Sequence, residues 1–112
     1  MKQQCEFFAA SGRAWEPGPV AGTDEKVLAR DPDDPEILTR LVRWPAGFDT
    51  SPAGVITHAW VEEVYLLEGE LVDISLGTRF GVGQYASRQP GMPHGPYRTE
   101  DGCTMLEVRY RP

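Results

Sequence analysis

Twelve glycines and ten prolines are spread through 112 residues. Both residues punctuate local structure, so a chain broken this often has little room for long helices. No stretch holds a helical period for three turns. What stands between the breaks alternates instead. Over residues 37–44, Leu38, Arg40, Val42 and Trp44 share one face, and Ile37, Thr39, Leu41 and Arg43 share the other. That two-residue period is a strand period, and Pro45-Ala46-Gly47 ends it. A weaker strand over 26–29 precedes the turn Asp31-Pro32-Asp33-Asp34-Pro35, whose residue types set turn geometry. Further strands are expected over 55–58, 62–68, 85–88 and 103–109. Gly69 supplies a tight turn leading into 70–75. Short strands with Gly/Pro turns read as an all-β sandwich or barrel.

The length fits one domain over 1–112. In this reading residues 23–111 form the barrel. Residues 1–22 form a segment whose Phe7, Phe8 and Trp15 pack on the barrel or on a partner subunit, which points to a homodimer. A hydrophobic share of 40% and a charged share of 25% are those of an ordinary globular chain. The net charge of -6 argues against a nucleic-acid partner. No apolar run approaches the ~18 residues of a spanning helix, so no membrane role is expected. Met1-Lys2-Gln3-Gln4-Cys5-Glu6 has no apolar stretch of the kind secretory signals carry, and the expected location is the cytoplasm. Cys5 and Cys103 form no C-x-x-C pair and are expected as reduced thiols, with Cys103 buried.

Only two histidines occur in the chain, and each stands beside a glycine-bounded strand. The first opens His58-x-x-x-Glu62, with Gly69 following after six residues. The second closes Pro90-Gly91-x-x-His94. Imidazole and carboxylate together suit first-row transition metals. A barrel can bring ligands from separate strands to one point in its interior.

These elements, in this order, resemble the two motifs of the cupin superfamily. The first motif runs glycine, histidine-x-histidine, a short gap, glutamate, six residues, glycine. The second runs glycine, proline-x-glycine, two residues, histidine. Residues 41–47 look like the strand and turn before the first motif. The stretch from Glu62 to Leu71, with Asp101 to Val108, is most similar to small cupins resembling the cupin domain of zinc anti-sigma factors. The resemblance spans roughly Gly22 to Tyr110. It implies a single-domain barrel of the double-stranded β-helix (jelly-roll) type with His58, Glu62 and His94 as ligands of one divalent transition metal: Fe, Mn, Ni, Co, Cu or Zn. Two departures stand out. Ile56 occupies the place of the family's first histidine, and Gln89 that of its proline. A second register pairs His58 with the first histidine, Trp60 with the second, and Glu63 with the carboxylate.

Three protein ligands leave positions open for chemistry. The resemblance implies a metal-dependent enzyme acting on a small carbonyl or enolisable molecule, with dioxygenase chemistry foremost. Two alternatives stay open. One is a non-catalytic binding or sensing cupin with a degenerate metal site. The other is a metal-free isomerase or cyclase using His94 and Glu62 as base and acid. Trp60, Tyr65, Met92 and Tyr97 are candidate pocket walls. Neighbours on a strand face opposite ways, which makes Glu63 a solvated surface carboxylate. Glu68 and Glu70 are expected to face solvent. Glu107, on the face of Met105 and Arg109, is expected to pair with arginine.

Overall fold

Alternation in two long strands sets the architecture. The computed structural model describes residues 1–112. Its strands are β1 (Glu16–Pro17), β2 (Asp24–Asp31), β3 (Asp34–Trp44), β4 (Val61–Asp73), β5 (Thr78–Gly81), β6 (Tyr85–Arg88), β7 (Tyr97–Arg98) and β8 (Cys103–Tyr110). The helical content is two single 3-10 turns, Ala10–Gly12 and Ser51–Ala53. Every strand pairing is antiparallel, in the order β1-β2-β3-β8-β4-β5, with β6 and β7 also pairing with β4. The all-β barrel expected from the sequence is the fold observed.

β4 belongs to two sheets. Its first part runs between β8 and β6, and its last residues run between β5 and β7. The change of sheet falls at Gly69, whose φ of 78° lies in the left-handed region. A Cβ there would overlap the Gly102 carbonyl oxygen. This corrects the expected tight turn. The glycine bends one continuous strand, because residues 70–73 pair onward with β5 and do not fold back on 62–68.

The inner face of β3 carries Leu38, Arg40 and Val42, all buried. Val42, Val64, Leu66, Leu71, Cys103 and Met105 form the apolar core, with Trp44, Phe80 and Tyr97 packed against it. Each such aliphatic side chain contributes about 1.5–3 kcal/mol by burial. Cys103 is 4% exposed and unpaired. Burial pushes its thiol up to about 11, so it is an inert core residue.

The strand expected over 55–58 is reduced to one bridge, in which Ile56 and His94 exchange backbone hydrogen bonds of 2.9 and 3.0 Å. Gly54 at φ 63° precedes it, and Pro93 and Gly95 flank His94, so the ladder cannot extend. The N-terminal segment lies along β2, held by Gln3 N–H donating to the Arg30 carbonyl at 3.0 Å. Trp15 is half-buried under Lys26 and Arg43. Phe8 carries the Arg13 guanidinium over its ring, while Phe7 is fully exposed rather than buried on the barrel.

Candidate metal centre and its cavity

Strand register builds the cavity wall in layers. Glu62 of β4 stands opposite Arg88 of β6 on one side and Arg109 of β8 on the other. One layer deeper, Glu107 of β8 stands between Val64 of β4 and Arg40 of β3. All these positions share the inward phase of their strands. The result is an alternating chain of charges. Arg88 Nη1 lies 2.7 Å from Glu62 Oε1, and Glu62 Oε2 lies 3.7 Å from Arg109 Nε. Arg109 Nε lies 2.6 Å from Glu107 Oε1, and Glu107 Oε2 lies 3.2 Å from Arg40 Nη2. Arg40 Nη1 ends the chain on Glu25, at 2.6 Å.

His58 and His94 enter from loops at the mouth. Gly91 N–H donates to the His58 carbonyl at 2.9 Å, and with the Ile56–His94 bridge this stitches the first motif to the second. The imidazoles meet edge to face at 4.7 Å, and Trp60 stacks on His58 at 4.7 Å. Candidate ligand atoms of His58, Glu62 and His94 all lie within 4.8 Å of one another. The structure thus brings together the three residues that the motif spacing singled out.

The donor set fits a transition metal. Nδ1 of His58 lies 3.3 Å from the Trp60 carbonyl, and Nδ1 of His94 lies 3.0 Å from the Met92 carbonyl. A carbonyl only accepts, so in each ring Nδ1 donates, and it is Nε2 that the neutral ring would offer to a metal. Metal-binding histidines are oriented by this kind of contact. His58 Nε2 is buried and has no hydrogen-bond partner. It stands 3.5 Å from Glu62 Oε2, which is too far for a hydrogen bond. Burial pushes the His94 pKa below its ordinary value, helped by the nearby Arg88, and so favours the neutral ring a metal needs. Burial, then the charge of Glu107, raises the pKa of Glu62 against Arg88, His58 and Arg109. A cation between the imidazoles would stabilise the ionised carboxylate.

The cavity beside these residues has a volume of about 640 Å³ and a mouth open to solvent. Trp60 and Tyr97 line it. Met92 is 45% exposed and lines a second cavity, which shares Arg88, His94 and Tyr97 as a wall. Tyr65 reaches neither. It lies on the outer face of β4 and is 42% exposed, because it is out of phase with Glu62 and Val64. Glu63 also faces outward and accepts a hydrogen bond from the Tyr85 hydroxyl. The register that would use Glu63 therefore has its carboxylate on the wrong side of the sheet. Glu68 is exposed as expected. Glu70 differs: its carboxylate accepts from Thr99 Oγ1 and from the backbone N–H groups of Glu100 and Asp101. Those contacts hold its pKa down and pin the loop before β8.

The sequence reading missed the three inward arginines, Arg40, Arg88 and Arg109. A signal was available for two of them. Arg40 alternates in phase with Leu38 and Val42, and Arg109 with Met105 and Glu107.

Comparison with known proteins agrees with this fold. A cupin from Shewanella frigidimarina described as RmlC-like superposes with a TM-score of 0.71 at 19% identity, over 97% of this chain and 93% of that one. An acetylacetone dioxygenase from Acinetobacter johnsonii gives 0.72 at 19% identity, over 94% of this chain and 73% of that one. The Rhodobacter sphaeroides complex of SigE with the anti-sigma ChrR gives 0.63 at 22% identity, over 88% of this chain and 50% of that one. At these identities the likeness is one of fold. No curated protein matches the chain. The family model of the ChrR cupin-like domain matches residues 3–110, almost the entire length, and the chain belongs to that family of cupins.

Proposed function

We propose that this protein is a metal-dependent cupin enzyme acting on a small carbonyl or enolisable molecule, with His58, Glu62 and His94 holding one divalent transition metal. The observation that carries this reading is the pair of oriented imidazoles. Each has its Nδ1 proton tied to a backbone carbonyl, leaving Nε2 lone pairs beside a carboxylate oxygen that no arginine holds closely. Such a metal, when bound, would act as a Lewis acid on a bound carbonyl or in dioxygen chemistry. The chain's own residues have distinct tasks. Trp60 fixes the plane of the His58 ring by stacking. Arg88 holds Oε1 of Glu62 and donates to the Tyr97 hydroxyl at 2.8 Å, leaving Oε2 turned toward His58. Val42, Val64, Leu71 and Met105 of the apolar core also line the cavity.

The likeness to an acetylacetone dioxygenase supports dioxygenase chemistry as the first to test. A second reading, a non-catalytic ligand-binding or sensing cupin, is favoured by two observations. Ile56 stands where the family places its first histidine, and the Arg88–Glu62 ion pair already supplies Glu62 with a cation. The metal-free isomerase or cyclase is separated from both by activity that survives a chelator.

Elemental analysis of the purified protein beside His94→Ala tests the main reading. About one metal ion per chain in the parent, and none in the variant, is the expected result. Metal absent from the parent after incubation with several divalent ions would overturn it. Dioxygen uptake with small diketones then separates enzyme from sensor. We place the protein in the cytoplasm as a homodimer. The exposed Phe7 on the β2 edge supports the dimer, and sedimentation of Phe7→Asp checks it: a shift to monomer is expected.

A further inference from the structure

The second cavity has a volume of about 600 Å³, and the proposed metal chemistry leaves it without a task. That volume is in the range of small-molecule sites. It lies beside β6, a strand whose one partner is β4. Leu66 and Leu71 of β4, Phe80 of β5 and Ala86 of β6 line it. So do Val55, Leu76, Tyr85 and Met92, all of them exposed. Single exposed apolar side chains are ordinary on a surface, but four gathered around one cavity mark a place of binding.

The two cavities differ in kind. Arg40, Asp49, Glu62, Arg88, Glu107 and Arg109 line the first, whereas the acidic and basic side chains of the second, apart from His94, are Asp73 and Arg88. Both are engaged. Arg88 holds Glu62 and Tyr97, and Asp73 accepts from the Leu76 N–H at 3.0 Å. Ser75 Oγ donates to the Gly95 carbonyl, and the Gln84 side-chain oxygen accepts from the Gly81 N–H. Polar groups already paired within the protein add little to a ligand's affinity, so burial of apolar surface is the main attraction left. The Asp73 carboxylate also disfavours an anion. The second cavity is continuous with the metal site through a common wall: Val64, Leu71, Arg88, His94, Gly95 and Tyr97 line both.

Resting on the reading of His58, Glu62 and His94 as a metal site for a carbonyl compound, we infer that the second cavity holds the tail of that compound. The substrate class is then a ketone or diketone carrying a neutral aliphatic chain. Its oxygens lie toward the histidines, and its chain passes Tyr97 to lie among Leu66, Phe80 and Met92. The thioether of Met92 adapts to chains of different shape. This subsite selects for the length and polarity of the tail and takes no part in the chemistry.

A homologous series of diketones tests this: acetylacetone, heptane-2,4-dione and nonane-2,4-dione, which differ only in the length of one alkyl arm. Calorimetric titration of the purified protein, with metal content measured on the same samples, should show binding tighten by about two- to fourfold for each added methylene. Ala86→Phe fills the second cavity from its β6 wall. It should erase most of that gain and leave acetylacetone binding within about twofold of the parent. Leu76→Asp places a charge at an exposed lining position and should reduce the gain in the same sense; circular dichroism checks that both variants are folded. Affinity that does not rise along the series, a gain unchanged in both folded variants, or binding of none of the three would overturn the inference. So would affinity for the long diketone that falls as protein concentration rises, because a second copy of the chain would then be the occupant. The two readings fail separately. A metal-loaded protein that binds all three diketones equally keeps the metal site and loses the tail subsite. A protein that takes up no metal, yet whose affinity rises with chain length and loses that rise in Ala86→Phe, does the reverse.

Discussion

Glu62 and Glu107 occupy the same kind of place and behave in opposite ways. Both face inward from neighbouring strands, both are 7% exposed, and each lies between two arginines. At Glu107, burial opposes the charge, but Arg40 and Arg109 together outweigh it and hold the pKa below its ordinary value. At Glu62, burial wins and the pKa rises. The difference lies in the second oxygen. Glu107 has close arginine contacts on both oxygens, Arg109 at 2.6 Å on Oε1 and Arg40 at 3.2 Å on Oε2. Glu62 has Arg88 at 2.7 Å on Oε1, while its Oε2 has only His58 at 3.5 Å and Arg109 at 3.7 Å. One glutamate is a finished structural ion pair. The other has a spare oxygen turned to His58, within the His58–Glu62–His94 group, and that is what makes it a candidate ligand.

The largest test of this contrast is Glu107→Gln. It leaves two buried guanidinium groups undercompensated and should cost about 3–5 kcal/mol in urea or thermal unfolding at neutral pH. The pH dependence has a definite sign. Because its folded pKa is depressed, the stabilisation from Glu107 is complete above its unfolded value of 4.5 and is lost as pH falls through the lower folded value. The gap between parent and Glu107→Gln should therefore close in acid. A gap that stays constant down to acid unfolding would remove the ion pair from the account.

Glu62 should respond in the opposite way. With its folded pKa raised above 4.5, ionisation of Glu62 works against the apo fold, so its contribution falls as pH rises through that window. The linkage is metal-dependent. At metal concentrations about a hundred times Kd, chelation should lower the parent's stability by about 2.7 kcal/mol and leave Glu62→Gln unmoved. Equal chelator effects on both proteins would break the comparison. In the absence of metal, Glu62→Gln itself should cost about 1 kcal/mol or less, since the amide still accepts from Arg88. Smallest is the outward neighbour: Glu63→Gln, which weakens only the exposed contact with Tyr85, should stay within about 0.5 kcal/mol in the same unfolding assay.

Much of this was legible in the sequence. Strands 37–44, 85–88 and 103–109 were visible because alternation and Gly/Pro breaks are local properties, and β3, β6 and β8 contain or match them. The spacing of His58, Glu62 and His94 marked the three residues that converge, and the adjacency of Glu62 and Glu63 required only one of them to face inward. Three features needed the fold. Gly69 looked like a turn because its left-handed φ serves a hairpin and a strand bend alike; only the pairing of residues 70–73 with β5 distinguishes them. Tyr65 could not be excluded from the pocket until the phase of β4 was fixed by its partners. The Arg88–Glu62–Arg109–Glu107–Arg40 chain joins four strands distant in sequence, and no local pattern predicts which charges will be neighbours. Sequence by itself determined the kind of fold and the candidate ligand residues, because periodicity and spacing are written along the chain. Tertiary structure alone decided which carboxylate keeps a free oxygen, because that depends on the register between strands.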